Sequence, residues 1–307
     1  MEKKSYQVSV IIVNYNTRQM TQECIDSVFE KTKDVTFEVI LVDNNSKDGS
    51  KEHFENETRI KYVYSFENMG FGRANNVGLL LSKGEYVFLL NSDTILTNNA
   101  IKYFYDYAKG YDKENSLNFY GAWLLNKDKE IGLSFSKEPT IRSMLYKELT
   151  PYLAALKIIK CGEQAHRDHP YYGKTCEVGY ISGADLFLNR RIVEQYGAFD
   201  HNFFMFFEEA EWQKRLKKYG IKSIVIEGPS IIHFHGGSDP KRKKESKYDS
   251  INSLLLMKQS RKYFLKKYYN AISRFYFEFV FFVLNTPFIL LTPRYSFNDK
   301  IRYILSK

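Results

Sequence analysis

The chain has 307 residues, 44% hydrophobic and 26% charged, with 45 Lys/Arg against 36 Asp/Glu for a net charge of +9. That composition excludes a disordered chain and can support a sizeable core, and three cysteines without a CxxC pair signal neither a disulfide framework nor a zinc ribbon, which suits a reducing cytosol. The charge is local: residues 241–274 hold 11 Lys/Arg and 2 Asp/Glu and the remainder 34 of each sign, which speaks against nucleic acid and for a basic surface facing one anionic partner.

In chain order, Met1 to Lys4 runs directly into Val8–Val13, a β-branched run, so no secretory signal is expected there. The run ends in Asn14-Tyr15-Asn16-Thr17 and is followed by an amphipathic helix over Arg18–Lys31. Phe37–Val42 repeats the pattern and ends in Asp43-Asn44-Asn45-Ser46; Ile60–Tyr64 is a third strand, and Asn68 to Asn76 leads into a helix over Val77–Leu81. Tyr86–Leu90 is apolar without alternation, as suits a parallel strand covered on both faces, and stops at Asn91-Ser92-Asp93. Strands alternating with helices imply βαβ crossovers and a mostly parallel sheet, whose ligands collect beyond the carboxyl ends of the strands. Each polar turn alone has the ordinary reading of a helix cap. Gathered on one edge, Asn14, Tyr15, Asp43 and Asp93 instead make a nucleotide-sized pocket. There is no G-x-x-x-x-G-K-[ST], and Gly70-Phe71-Gly72 lacks the third glycine of G-x-G-x-x-G, so neither a P-loop nor a dinucleotide fingerprint is present.

Beyond residue 110 the pattern loosens into acceptor-side elements: strands over Phe119–Leu125 and Ile131–Phe135, a helical stretch over Ile141–Ile159 interrupted at Pro151, and strand character around Ser182-Gly183-Ala184-Asp185, small residues that let a ligand or strand approach. Phe203 to Phe207 form an aromatic wall before Glu208, Glu209 and Glu211. Acids at a helix start suit the dipole, but a desolvated carboxylate there is also a competent general base. After a strand over Ile221–Ile226, His233 and His235 flank Phe234 at a glycine turn, where a metal would find imidazole ligands. The tail opens on Lys241-Arg242-Lys243-Lys244, continues as a helix over Lys247–Tyr269, and ends in an aromatic stretch, Phe275–Leu291, whose 17 residues are broken by Glu278, Asn285 and Pro287. That is short for a spanning helix and fits interfacial docking on anionic lipid, with packing onto the catalytic part or a homo-oligomer as the competing use.

Five ordered motifs carry a resemblance: VSVIIVNYN from Val8, VDNNSKDGS from Val42, NMGFGRANN from Asn68, LNSD from Leu90 and FEEAEW from Phe207. Together they resemble family 2 glycosyltransferases of the GT-A fold, in the branch of bacterial rhamnosyltransferases. The resemblance implies an α/β fold with a Rossmann-like, mostly parallel sheet over residues 1–240, acceptor-side elements at about 110–240, and a helical, basic and aromatic extension over 241–307. It implies that Asn14, Tyr15 and Asp43 hold base and ribose and that the loop with Asn68, Gly70, Arg73 and Asn75 follows the nucleotide. Asn91-Ser92-Asp93 stands at the Asp-x-Asp motif with Asn for its first acid, leaving Asp93 as the chief metal carboxylate. Glu208-Glu209 stands where the family commonly has Glu-Asp, making Glu209 the expected base; Gly183, Ala184, Asp185, Glu208 and Trp212 fall on the acceptor or donor-sugar side. His233 matches His-x-x-Gly-x-Ser and is preferred as metal ligand over His235. The implied activity is inverting, Mn²⁺- or Mg²⁺-dependent transfer from a dTDP-rhamnose or UDP-hexose type donor to a hydroxyl of a cell-surface polysaccharide or polyprenyl-linked precursor, at the inner face of the cell membrane. A nucleotide-sugar-binding protein without turnover, and a membrane-attached scaffold, are the alternatives.

Overall fold

The computed structural model describes residues 6–112, 116–155, 169–234, 250–291 and 295–306. His235, the glycine turn after it, the Lys241–Lys244 run and Cys161 lie outside them. Strands β1 (Val8–Asn14), β2 (Phe37–Asp43), β3 (Lys61–Tyr64) and β4 (Tyr86–Asn91) alternate with helices α1 (Arg18–Lys31), α2 (Ser50–Phe54) and α3 (Phe71–Leu81). A short strand β5 (Thr94–Leu96) and helix α4 (Ala100–Asp112) follow. Next come β6 (Asn118–Ala122), β7 (Phe135–Ser136), helix α5 (Ile141–Ala155), β8 (Cys176–Val178), β9 (Tyr180–Ile181) and β10 (Asp185–Asn189). Helices α6 (Arg191–Tyr196) and α7 (Glu208–Lys217), strands β11 (Lys222–Ile226) and β12 (Ile231–His233), and helices α8 (Ile251–Tyr268), α9 (Ala271–Leu291) and α10 (Phe297–Leu305) complete the order.

The main sheet runs β3-β2-β1-β4-β10-β6-β11-β8. The first four strands are mutually parallel; β10 is antiparallel to both β4 and β6, and β11 is parallel to β6. Strands β1 and β4 are buried along almost their whole length, as their unalternating apolar sequences require. Helices α1 and α4 cover one face through Cys24, Ile25, Val28, Ile101 and Phe104, while α3 and α7 cover the other through Ala74, Leu79, Trp212 and Leu216.

The elements beyond residue 110 differ in detail from the sequence expectations. The Ile131 segment makes only an isolated bridge with Leu125, leaving Phe135–Ser136 as strand. Helix α5 passes through Pro151, with the Thr150 hydroxyl donating to the Tyr146 carbonyl in the preceding turn (2.9 Å). Helix α9 begins at Ala271, four residues before the expected start, and its 21 residues reach the length of a membrane-crossing helix. A third apolar cluster joins Met144 of α5 and Phe203 to Phe264 and Leu265 of α8 and Phe277 and Phe281 of α9.

Candidate active site

Parallel pairing levels the strand ends: Asn14 is opposite Asp43, and Val13 is opposite Asn91. The polar turns therefore converge on one edge. Asn14 and Asp43, expected to touch the nucleotide, are themselves fully buried. Asn14 Oδ1 accepts from the Thr17 amide and from the hydroxyls of Thr17 (2.7 Å) and Thr21 (3.0 Å), and its Nδ2 donates to Ser46 Oγ. Asp43 accepts from the Ser46 amide (2.9 Å) and the Tyr62 hydroxyl (2.9 Å). Both side chains shape the turn from within. Tyr15, 47% exposed, presents its surface to solvent at the same edge.

The loop after β3 is held by Asn44. Its Oδ1 accepts from the Met69 amide (2.8 Å), and its Nδ2 donates to Asn68 Oδ1 (2.8 Å) and the Gly70 carbonyl. Gly70 has φ +85°, and a Cβ there would lie 2.1 Å from the Phe204 carbonyl oxygen, so only glycine allows this approach. The contact is completed by the Phe71 amide donating to the same oxygen (2.9 Å). Arg73 Nε donates to the His201 carbonyl (2.6 Å), and Asn76 exchanges two hydrogen bonds with the Phe199 backbone. Asn75, expected along the nucleotide, is instead buried within α3 with its amide on the Phe71 carbonyl: at this point of the helix its side chain faces the sheet.

Asp93 follows β4, and the pairing of β12 with β5 sets His233 opposite Thr94. Residues 140 positions apart thus meet, with His233 Nε2 3.2 Å from Asp93 Oδ1 and the Phe234 amide donating to the Asp93 carbonyl (3.0 Å). An oxygen and an imidazole nitrogen at this spacing match the edge of an octahedron, about 3 Å when ligands stand roughly 2.1 Å from a cation. Among the described residues no group of three His, Cys, Asp or Glu gathers here. Asp93 and His233 would thus fit a divalent cation as two of its ligands, the others coming from outside this pair. Behind this corner, Ser92 Oγ meets Thr17 Oγ1 at 3.0 Å, and burial pushes the Cys24 thiol up to about 12, so it is no nucleophile.

The acid pair stands on an unusual turn. Phe206 and Phe207 have φ of 72° and 69°, left-handed conformations that cost bulky residues about 1–3 kcal/mol each. They redirect the chain so that Glu208 and Glu209 open α7. Burial pushes both carboxyl groups upward; the neighbouring charge of Glu209 adds to this for Glu208, whereas the backbone, including the Gly183 amide, and Lys147 pull Glu209 partway back. Glu208 is buried and Glu209 partly exposed, and Oε2 of each has no hydrogen-bond partner among the described residues. Gly183 lies against the pair: a Cβ there would be 3.1 Å from the Phe71 ring and 3.8 Å from Glu209 Cβ. The adjoining Ala184 carbonyl accepts from the Asn91 amide (2.9 Å), which links the acid pair to the Asp93 turn.

Two residues expected on the acceptor or sugar side are core. Trp212 is fully buried between Phe199 and Phe119, with its Nε1 donating to the Gly197 carbonyl (3.0 Å); one turn beyond Glu208, it points under the sheet. Asp185 is fully buried inside β10, its Oδ2 accepting from the Ala122 amide (2.5 Å), and burial raises its carboxyl well above the usual range. One residue that shapes the site escaped the sequence patterns: Asn44 stood in a recognised turn, but its partners Asn68, Met69 and Gly70 are remote in the chain.

Residues 9–146 match the family model described as Glycosyl transferase family 2. A protein named glycosyltransferase GlyG, from Streptococcus pneumoniae serotype 4, is 30% identical over 111 residues, covering 35% of this chain and 36% of that protein. The low-salt glycan biosynthesis hexosyltransferase Agl10 of Haloferax volcanii is 25% identical over 230 residues, covering 74% of this chain and 66% of that one. The chain thus aligns with between a third and two thirds of the length of these relatives. A crystal structure of GalNAc-T7 with UDP, GalNAc and Mn²⁺ superposes with a TM-score of 0.57 at 12% identity, covering 98% of this chain and 54% of that one. At this identity the likeness concerns the fold, which is GT-A.

Proposed function

We propose, from the premise that residues 9–146 belong to glycosyl transferase family 2, that this protein transfers a sugar from a nucleoside diphosphate to an acceptor hydroxyl with inversion. The observation that carries this reading is the pairing of two corners across one backbone hydrogen bond: Asp93 with His233 on one side of Asn91 and Ala184, and on the other Glu209, whose Oε2 has no hydrogen-bond partner among the described residues. Asp93 and His233 would hold a Mn²⁺ or Mg²⁺ ion, which supplies Lewis-acid stabilisation of the departing diphosphate. Tyr15, Asn68, Gly70, Arg73 and Ser92 border the nucleotide, while Asn14 and Asp43 hold their turn in shape. Glu209 takes the proton from the acceptor hydroxyl as the new carbon–oxygen bond forms and the bond to the diphosphate breaks. Glu208 lies deeper beside it, and burial raises the Glu209 carboxyl above the usual glutamate range, the direction that strengthens a general base.

The acceptor class is a hydroxyl of a surface glycan or lipid-linked precursor, as the glycan-building relative suggests. Helix α9 supports a membrane partner: Ile272, Phe275, Tyr276, Phe279, Phe282 and Val283 are exposed along it. Phe277, Phe281 and Ile289 on the same helix pack into the protein, which supports a helix lying in the interface over one surrounded by lipid. Flotation with anionic vesicles tests this; a protein that stays with the soluble fraction and forms a discrete oligomer through α9 would overturn it.

The activity is tested by a screen of UDP- and dTDP-sugars with and without Mn²⁺. Metal-dependent release of nucleoside diphosphate identifies the donor. Nucleotide binding without turnover on any donor or acceptor would reduce the protein to a binding module.

A further inference from the structure

Helix α8, the first of the C-terminal extension, contacts both ends of the segment that carries the acid pair. Lys267 Nζ stands 2.6 Å from Asp200 Oδ2 and 2.7 Å from Glu211 Oε1, spanning the chain from before the Phe206–Phe207 turn to beyond Glu209. Around it, the Tyr263 hydroxyl donates to Asp200 (3.1 Å), the Tyr268 hydroxyl to Glu211 (2.8 Å), and the Ser260 hydroxyl to the Met205 carbonyl (2.7 Å). Phe264 packs on Phe207 with ring centroids 5.4 Å apart, and Tyr263 meets Phe203 edge-on at 4.9 Å. Glu211 is fully buried and Asp200 largely so. Glu211 has a second cation, Arg215 Nε at 3.1 Å, so the carboxylate left uncompensated by removing Lys267 is Asp200. Two consecutive left-handed phenylalanines persist only where their surroundings over-determine them, and among the described residues these surroundings include α8.

We infer that Lys267 is a positioning residue: by bridging Asp200 and Glu211 it holds the strained Phe206–Phe207 turn and so sets Glu208 and Glu209 in place. The C-terminal extension is then part of the catalytic scaffold as well as a membrane-facing module. The catalytic half of this inference rests on the assignment of Glu209 as the base; the structural half does not.

The test uses the full chain with Lys267→Met and Lys267→Arg. In Lys267→Met, amide hydrogen exchange over residues 200–209 should quicken by about tenfold or more, with β1, β2 and β4 unchanged. Transfer should lose about tenfold or more in kcat while donor KM and nucleotide affinity by calorimetry stay within about twofold, the pattern of a displaced catalytic group. Lys267→Arg, which keeps the charge and the reach, should restore at least about a third of kcat. Unchanged exchange with kcat within twofold overturns the inference, and so does faster exchange throughout the protein, which would mean a general stability role. If Lys267→Met does not fold, Tyr263→Phe, which removes one bond to Asp200, should still quicken exchange over 200–209, and its failure to do so counts against the clamp. A wild-type protein that transfers no sugar would sink the assignment of Glu209, while the exchange measurement would still decide the clamp.

Discussion

The two corners of the site are built by opposite means. The Asp93 corner is made by regular structure: a parallel strand ends where its neighbours end, and one antiparallel register brings His233 to it. The Glu209 corner is made by an irregular turn with two bulky residues in left-handed conformation, tied by Asn76, Arg73 and Lys267 to elements far away in the chain. The first rests on strand pairing; the second is a strained arrangement maintained by tertiary contacts. A metal site can be assembled on a sheet edge because ligand positions there follow from strand register. A partly desolvated base requires walls from several directions, and walls cost backbone strain.

The comparison can be broken most sharply at its chemical ends. Glu209→Gln should lower kcat by about 10²- to 10⁴-fold, the range for removing a general base, with nucleotide affinity unchanged; transfer at the parent rate would show that the proton goes elsewhere. His233→Ala should weaken Mn²⁺ binding by at least about 10- to 100-fold, the loss that even an outer-shell partner produces. Titration with Mn²⁺ in the presence of UDP reads this directly, and an unmoved midpoint would leave the Asp93–His233 contact as a plain hydrogen bond. Gly70→Ala sharpens the contrast in stability, because it forces a side chain into a left-handed backbone against the Phe204 carbonyl. A loss of about 1–3 kcal/mol is expected from the backbone alone, read as a lower denaturation midpoint, whereas a neutral outcome would mean that the 68–76 and 199–204 loops are not welded.

The smallest effect concerns pH. Burial raises the folded-state pKa values of Glu208 and Glu209 above those of the unfolded chain, so the folded protein binds more protons in the interval between them. Stability therefore increases as pH falls through the raised values, and the gain is complete only below the ordinary glutamate pKa of about 4.3. Glu208→Gln should accordingly raise Tm at pH 7 and lose that advantage at pH 4. Activity has the opposite slope, since the base must be ionised: kcat/KM should fall on acidification at a pH above the ordinary glutamate value. A Tm gain independent of pH would assign the effect to packing instead.

The parallel half of the fold was legible in the chain. Runs such as Val8–Val13 and Tyr86–Leu90 can be satisfied only by burial on both faces, and the polar residues that end them then must share an edge. Arg18–Lys31 was likewise marked as a helix by its apolar spacing, and it forms over those residues. What pattern could not distinguish was direction. Asn14 and Asp43 stand at strand ends and Asn75 in α3, but all three face inward, and Trp212 belongs to the core, because a side chain's partners depend on which helix crosses above it. The length of α9 and the passage of α5 through Pro151 also depended on packing that no local signal contains.

By itself the sequence determined which residues stand at the ends of which strands, and with them the carboxylates and histidine available for chemistry, because strand burial and alternation with helices are local in origin. Tertiary structure alone decided that Asp93 meets His233, that Phe206 and Phe207 are forced into a left-handed turn, and that Lys267 reaches back to close the segment carrying Glu209. These are contacts between distant parts of the chain, whose energy exists only once the sheet and its covering helices have brought them within hydrogen-bonding range.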